Sequence, residues 1–213
     1  MNIYIECEGP NERAASKVRE QVFGREWHLS LPSLGECDPE LQLTLVARDA
    51  SNHEPIAALT VLETTGNADL HGRIGLDYLN KQRAARYTQL AVLRPYRGMN
   101  LPIRLILEAQ RLFVAPRQIQ YTWLLFDADR AKSSSLCNLL GFGVSIDTFL
   151  TEYGCSRVLT RDETSRHASL CDRHARSLLQ PPKSDGLNNT IDPGANRLPI
   201  HFLIRPPASA GQS

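Results

Sequence analysis

The segment Arg86–Leu112, RYTQLAVLRPYRGMNLPIRLILEAQRL, restricts the fold of this chain more than any other. Its first half is rich in β-formers, Tyr87, Thr88, Leu90, Val92 and Leu93, and closes at the turn pair Arg94-Pro95. In its second half Leu101, Leu105, Leu107, Ala109 and Leu112 recur near helical spacing. Pro102 suits the first helical turn, where its missing N–H costs nothing. Between the halves lies a short basic loop, Tyr96-Arg97-Gly98-Met99-Asn100. A strand that feeds a tight loop into a helix start aims several backbone N–H groups at one spot. Those unpaired donors, with the helix dipole behind them, favour a phosphate or another anion. The same segment also fits an ordinary strand–turn–helix that binds nothing.

A length of 213 residues favours one domain with room for extra elements. The formal net charge is +1, so nothing global argues for nucleic acid or an anionic membrane as partner. No apolar run approaches the ~20 residues of a spanning helix. The start, MNIYIECEGP, lacks the basic head and apolar middle of a signal peptide, and the expected location is the cytoplasm. Cys7, Cys37, Cys137, Cys155 and Cys171 are widely spaced and form no CxxC pair. They read as reduced thiols, with neither a disulfide framework nor a metal site expected.

Along the chain, Ile3 and Ile5 alternate in an opening strand over Met1–Glu8. Asn11 is placed to cap a helix over Glu12–Phe23. Trp27–Pro39 reads as a loop holding His28. Leu41–Arg48 and Pro55–Glu63 read as two strands of a hairpin, and Thr64–Lys81 as an irregular loop with His71 near its middle. Gln118–Phe126 has the apolar content of a buried strand. A helix over Ala131–Leu140 follows, ended by Gly141, then strands over Gly143–Phe149 and Ser156–Thr160. Asp162–Leu179 reads as a further polar helix. Pro181–Asn196 has linker composition, Leu198–Ile204 is apolar enough for a strand that docks on a sheet edge of its own chain or of a partner, and the last residues read as an unstructured tail.

Leu90-Ala91-Val92-Leu93-Arg94-Pro95-Tyr96-Arg97-Gly98 resembles the acyl-CoA-binding core of the GNAT acyltransferase superfamily, where a Leu-x-Val strand runs into x-Pro-x-Tyr-Arg-Gly. Asn100 and Pro102 depart from that family's pattern, which has small residues there. Arg19-x-x-Val22-Phe23-x-x-Glu26 resembles the first helix of many of its members, and Gly141-Phe142 their usual ending. The resemblance implies an α/β fold: a mixed, mostly antiparallel sheet of about seven strands flanked by helices. It covers residues 1–160, leaving 161–180 as an added helix and 181–213 as linker, short strand and tail.

The resemblance also implies a chemistry. An acyl group moves from acyl-CoA or acetyl-CoA, or from an acyl carrier protein, to the amine of a small molecule or amino acid. The first helix and the long insert before the central strand look more like the N-acyl amino acid synthase and acyl-homoserine-lactone synthase branches than the small acetyltransferases. The donor would lie against Leu90, Ala91, Val92 and Leu93, with its phosphates on Arg97, Gly98, Met99, Asn100, Leu101 and Pro102. Gln89 stands where many relatives place a carboxylate base, and Glu63, near the end of the preceding strand, is the alternative carboxylate. Cys137 stands where the family commonly has its acid tyrosine; it is either an acid for the departing thiolate or a small buried apolar side chain. Arg86, His71 and His28 are candidates for the acceptor side, Arg86 because its fork matches a carboxylate. A homodimer through the C-terminal strand is a further expectation. The rival reading is a GNAT fold without chemistry, serving as a ligand sensor or assembly module.

Overall fold

The computed structural model describes residues 2–9, 13–29, 38–127, 131–151 and 154–180. A seven-stranded sheet runs in the order β1-β2-β3-β4-β5-β7-β6. Its strands are β1 (Ile3–Cys7), β2 (Gln42–Asp49), β3 (Pro55–Glu63), β4 (Ala84–Val92), β5 (Tyr121–Asp127), β6 (Gly143–Thr151) and β7 (Gly154–Asp162). Every neighbouring pair is antiparallel except β4 and β5, which are parallel.

The helices are α1 (Ala14–Arg19), α2 (Ala68–Arg73), α3 (Leu101–Ala109), α4 (Ala131–Leu139) and α5 (Arg166–Leu179). Both α1 and α3 widen into π-helical turns, over Glu20–Glu26 and Gln110–Val114. The shift shows in Trp27 N–H donating to Val22 O and Ala115 N–H to Gln110 O, five residues back in each case.

Alternation along the central strands divides the core in two. On one face Ala57, Leu59 and Val61 of β3 and Ala85 and Tyr87 of β4 pack with Leu101, Leu105, Ile106, Ala109 and Phe113 of α3 and its extension. On the other, Ala58 and Ala91 meet Ala15, Val18 and Val22 of α1. Covered on both faces, β3 reads PIAALTVLE, a nearly unbroken apolar run. Each fully buried leucine, such as Leu59 or Leu105, adds about 1.5–3 kcal/mol of transfer free energy.

Two expectations need correction. The stretch 64–81 is not an irregular loop. It forms α2, capped by Asn67, whose side chain accepts from Leu70 N–H, and a 3-10 turn over Asp77–Lys81. Ile74, Leu76 and Leu79 from this stretch bury against Ala84, Trp123 and Val158. The first helix begins at Ala14 after Arg13, with no side-chain cap, and Asn11 falls outside the described residues. The added C-terminal helix is α5, capped by Ser165, whose hydroxyl accepts from Ala168 N–H. Residues 181–213, including the expected docking strand, also fall outside the described residues.

Candidate functional site

The site arises where β4 parts from β5. The parallel ladder joins Ala84–Tyr87 to Tyr121–Leu124 and ends there. Beyond it β4 stays with β3 as far as Val92, while β5 stays with β7 as far as Asp127. Two strands that pair for four residues and then follow different partners leave an opening in the middle of the sheet.

A bulge marks the parting. Thr60 of β3 faces Thr88 and Ala58 faces Ala91, so Leu59 opposes two residues, Gln89 and Leu90. Gln89 takes a left-handed backbone, φ +53°, which L side chains avoid. Its carbonyl accepts from Arg19 Nε at 3.3 Å. Past the bulge, Leu93 N–H donates to Ile56 O at 3.0 Å. Alternation then turns the polar groups of Val92 away from β3, toward the opening. Arg97 Nε donates to the Val92 carbonyl at 3.1 Å.

The loop after β4 is shaped for backbone donors. Gly98 has φ +91° and Asn100 is left-handed at φ 57°, ψ 22°, so asparagine fills a position that would suit glycine. Among the described residues, the N–H groups of Gly98, Met99, Asn100 and Leu101 donate to no backbone carbonyl. Pro102 lies in the first turn of α3 and contributes none. Arg97 does not point freely into this cradle, because its Nη2 pairs with Glu26 at 2.6 Å. Leu101 is fully buried under the loop and Met99 is exposed.

The remaining candidates are scattered. Glu63 lies four residues along β3 from Leu59, about 13 Å at strand rise. Arg83 and Arg117 hold it in ion pairs at 3.4 and 3.2 Å. That distance and those partners remove it from the opening. His71 is also removed: it is fully buried, its Nδ1 bonded to Asn80 and its Nε2 to Thr64. Trp123 Nε1 donates to the same Thr64 hydroxyl, so the histidine belongs to a buried structural network. His28 is exposed with φ +54° at the end of the described part of its loop. Cys137 is buried among Leu140, Phe142 and their neighbours, and burial pushes its thiol up to about 11. Among the described residues no cluster of histidine, cysteine or carboxylate side chains has the form of a metal site.

Arg86 does face the interior beside β5. It stacks over the Trp123 ring at 5.1 Å, and its Nε is sealed from solvent without a hydrogen-bond partner. Burial lowers its pKa. Arg19, which the sequence offers only as part of a first-helix motif, also belongs to the site. It is 8% exposed on the inward face of α1, with Nη2 donating to Thr60 Oγ1 at 2.5 Å. The signal was its position four residues after Ala15, inside the apolar stripe that also holds Val18 and Val22.

No family model matches the chain, and no curated protein matches it. Solved structures do. FeeM, an N-acyl amino acid synthase from uncultured soil microbes, is similar at 11% identity and TM-score 0.59, over 79% of this chain and 99% of that one. A putative N-acetyltransferase from Lactobacillus plantarum is similar at 15% identity and TM-score 0.57, over 76% and 99%. BjaI, a CoA-dependent acyl-homoserine lactone synthase solved with SAM and isopentyl-CoA, is similar at 15% identity and TM-score 0.55, over 82% and 89%. With its strand order and the parting of β4 from β5, the chain has the fold of the GNAT acyltransferases.

Proposed function

We propose that the chain is an N-acyltransferase. It moves an acyl group from acyl-CoA, or from an acyl carrier protein, to the amine of a small molecule or amino acid. The observation that carries this reading is the four-residue β4–β5 ladder, beyond which β4 offers its backbone to a ligand instead of a strand. The thioester carbonyl lies in the opening against backbone of Leu90–Leu93. The donor's phosphates take the unpaired N–H groups of Gly98–Leu101, and Arg97 leaves Glu26 to join them.

The amine nitrogen attacks the thioester carbon, the N–C bond forms, and the C–S bond breaks. The oxyanion is held by backbone N–H of β4, and the proton that the neutral amine loses on becoming an amide balances the one the departing thiolate takes up. Arg86 receives a carboxylate of the acceptor, a partner that its buried Nε otherwise lacks. Gln89 cannot take a proton and so is not the general base; Cys137, with its thiol near 11, stays protonated and acts only as an acid.

That buried thiol and Gln89 also favour a second reading, a GNAT fold that binds an acyl donor without turnover. Thermal shift with acetyl-CoA, long-chain acyl-CoA and free CoA, followed by thiol release with amino acids as acceptors, separates the two. Stabilisation with thiol release supports the transferase. Stabilisation alone supports the sensor. No response to any donor, acyl carrier protein included, overturns both.

A further inference from the structure

Arg19 is a buried cation with an unusual set of partners. It is buried next to Val18 on α1, whose apolar residues pack against the sheet, and it forms no ion pair among the described residues. Its two partners are neutral: the Thr60 hydroxyl, itself bonded to Thr44 at 2.8 Å, and the carbonyl of Gln89. Burial lowers its pKa to about 10, with Glu8 opposing at a distance, so it is charged at neutral pH. Removing a guanidinium from water for two neutral acceptors is a poor exchange for stability alone. An apolar side chain of similar length would fill the space without that cost.

What the arrangement does is hold one peptide. Gln89 is in a backbone conformation that its side chain disfavours, so the bulge needs an external constraint. The peptide joining Gln89 to Leu90 is planar and trans, with its C=O and N–H opposed. Drawing the Gln89 carbonyl onto Arg19 therefore turns the Leu90 N–H away from α1. A positive charge on the oxygen side also polarises the peptide and strengthens its N–H as a donor.

We propose that Arg19 is a positioning residue for acyl transfer: it pins the bulge peptide so that the Leu90 N–H is preset, and polarised, to receive the thioester oxygen in the opening. This rests on the transferase reading above. Arg19 touches no substrate; it acts through the peptide it holds.

The test uses the full chain and the variants Arg19→Gln and Arg19→Lys. Turnover is followed by thiol release, free-CoA binding by calorimetry, and the Leu90 amide by its NMR chemical shift. Arg19→Gln should lower kcat by about 100-fold, the scale of losing one oxyanion donor, with KM for acyl-CoA and free-CoA affinity within about threefold. Its Leu90 amide resonance should move while amides of the outer strands keep their shifts. Arg19→Lys, which keeps the charge but not the fork, should recover part of both. A kcat within threefold of the native chain, or loss of kcat matched by loss of free-CoA binding, overturns the proposal. If the native chain releases no thiol, the transferase reading falls by itself, and an unmoved Leu90 resonance in Arg19→Gln separately overturns the pinning. Should both variants unfold, Thr60→Val loosens the second anchor; it should move the Leu90 resonance, and no change there is equally decisive against the proposal.

Discussion

The attachment of α5 to the sheet hangs on Arg161, and the effect of removing it can be worked out. Its side chain is 1% exposed. Nη1 donates to Leu140 O and to Asp172 Oδ1 and Nη2 to Asp172 Oδ2, each at 2.8 Å, and Glu163 lies 3.1 Å from Nη2. One guanidinium thus joins the end of α4, the last strand and the added helix. Burial raises the Glu163 pKa, and Arg161 is the main influence lowering it. Arg161→Met leaves two carboxylates facing each other without a counter-ion. Breaking a buried pair in this way costs about 3–5 kcal/mol, and at ~2–4 °C per kcal/mol for a chain of this size Tm should fall by roughly 10 °C. The sign with pH follows. A carboxyl whose folded pKa lies above its unfolded one favours the folded state at low pH, and that benefit is lost as pH rises through the folded pKa. Without Arg161 the Glu163 pKa rises further, so the deficit of Arg161→Met should shrink below neutral pH. Urea denaturation of Arg161→Met, Asp172→Leu and the double variant, at pH 5.5 and 7.5, measures both effects. Strictly additive costs, or a deficit that does not change with pH, would refute the coupling.

Gly141 has φ +77°, and a Cβ there would lie 3.0 Å from Cys171 Sγ; Gly141→Ala should lower stability by about 1–3 kcal/mol by urea denaturation, with part restored by Cys171→Ala. Gly98 has φ +91° with open space around it, so Gly98→Ala should cost only strain, about 1–2 kcal/mol, while weakening donor binding by calorimetry. Of Cys7, Cys137 and Cys171, native alkylation at pH 8 read by mass spectrometry should modify Cys137 last, its thiol being buried and raised to about 11. Trp123→Phe removes the donor to Thr64 within the His71 network and should cost about 1–3 kcal/mol in the same denaturation assay.

The strand–loop–helix of β4 and α3 was legible because each part carries a local signal: β-formers up to a turn pair, one glycine, and proline in a first helical turn. Helical spacing likewise announced α1, and Gly141 the end of α4. What was not legible depends on contacts between distant residues. The six residues of α2 are too few to show a period, and His71 is placed by Thr64, Asn80 and Trp123, none of which its neighbours announce. Glutamine seldom adopts a left-handed backbone, so nothing near Gln89 foretold the bulge. Arg19 carries a motif resemblance in the sequence, but its residue type gives no sign of burial, since arginine is rarely buried without a carboxylate.

Strand margins usually lie at the rim of a sheet, where charged or covered borders keep neighbouring molecules from adding on. Here a second pair of margins is cut into the interior, flanked by α1 on one side and α3 on the other. Such a slot suits a slender, extended chain with amide groups of its own far better than another protein strand, which would need side-chain room on both faces. The fold thereby gains hydrogen-bonding capacity for a small guest without laying itself open to edgewise self-association.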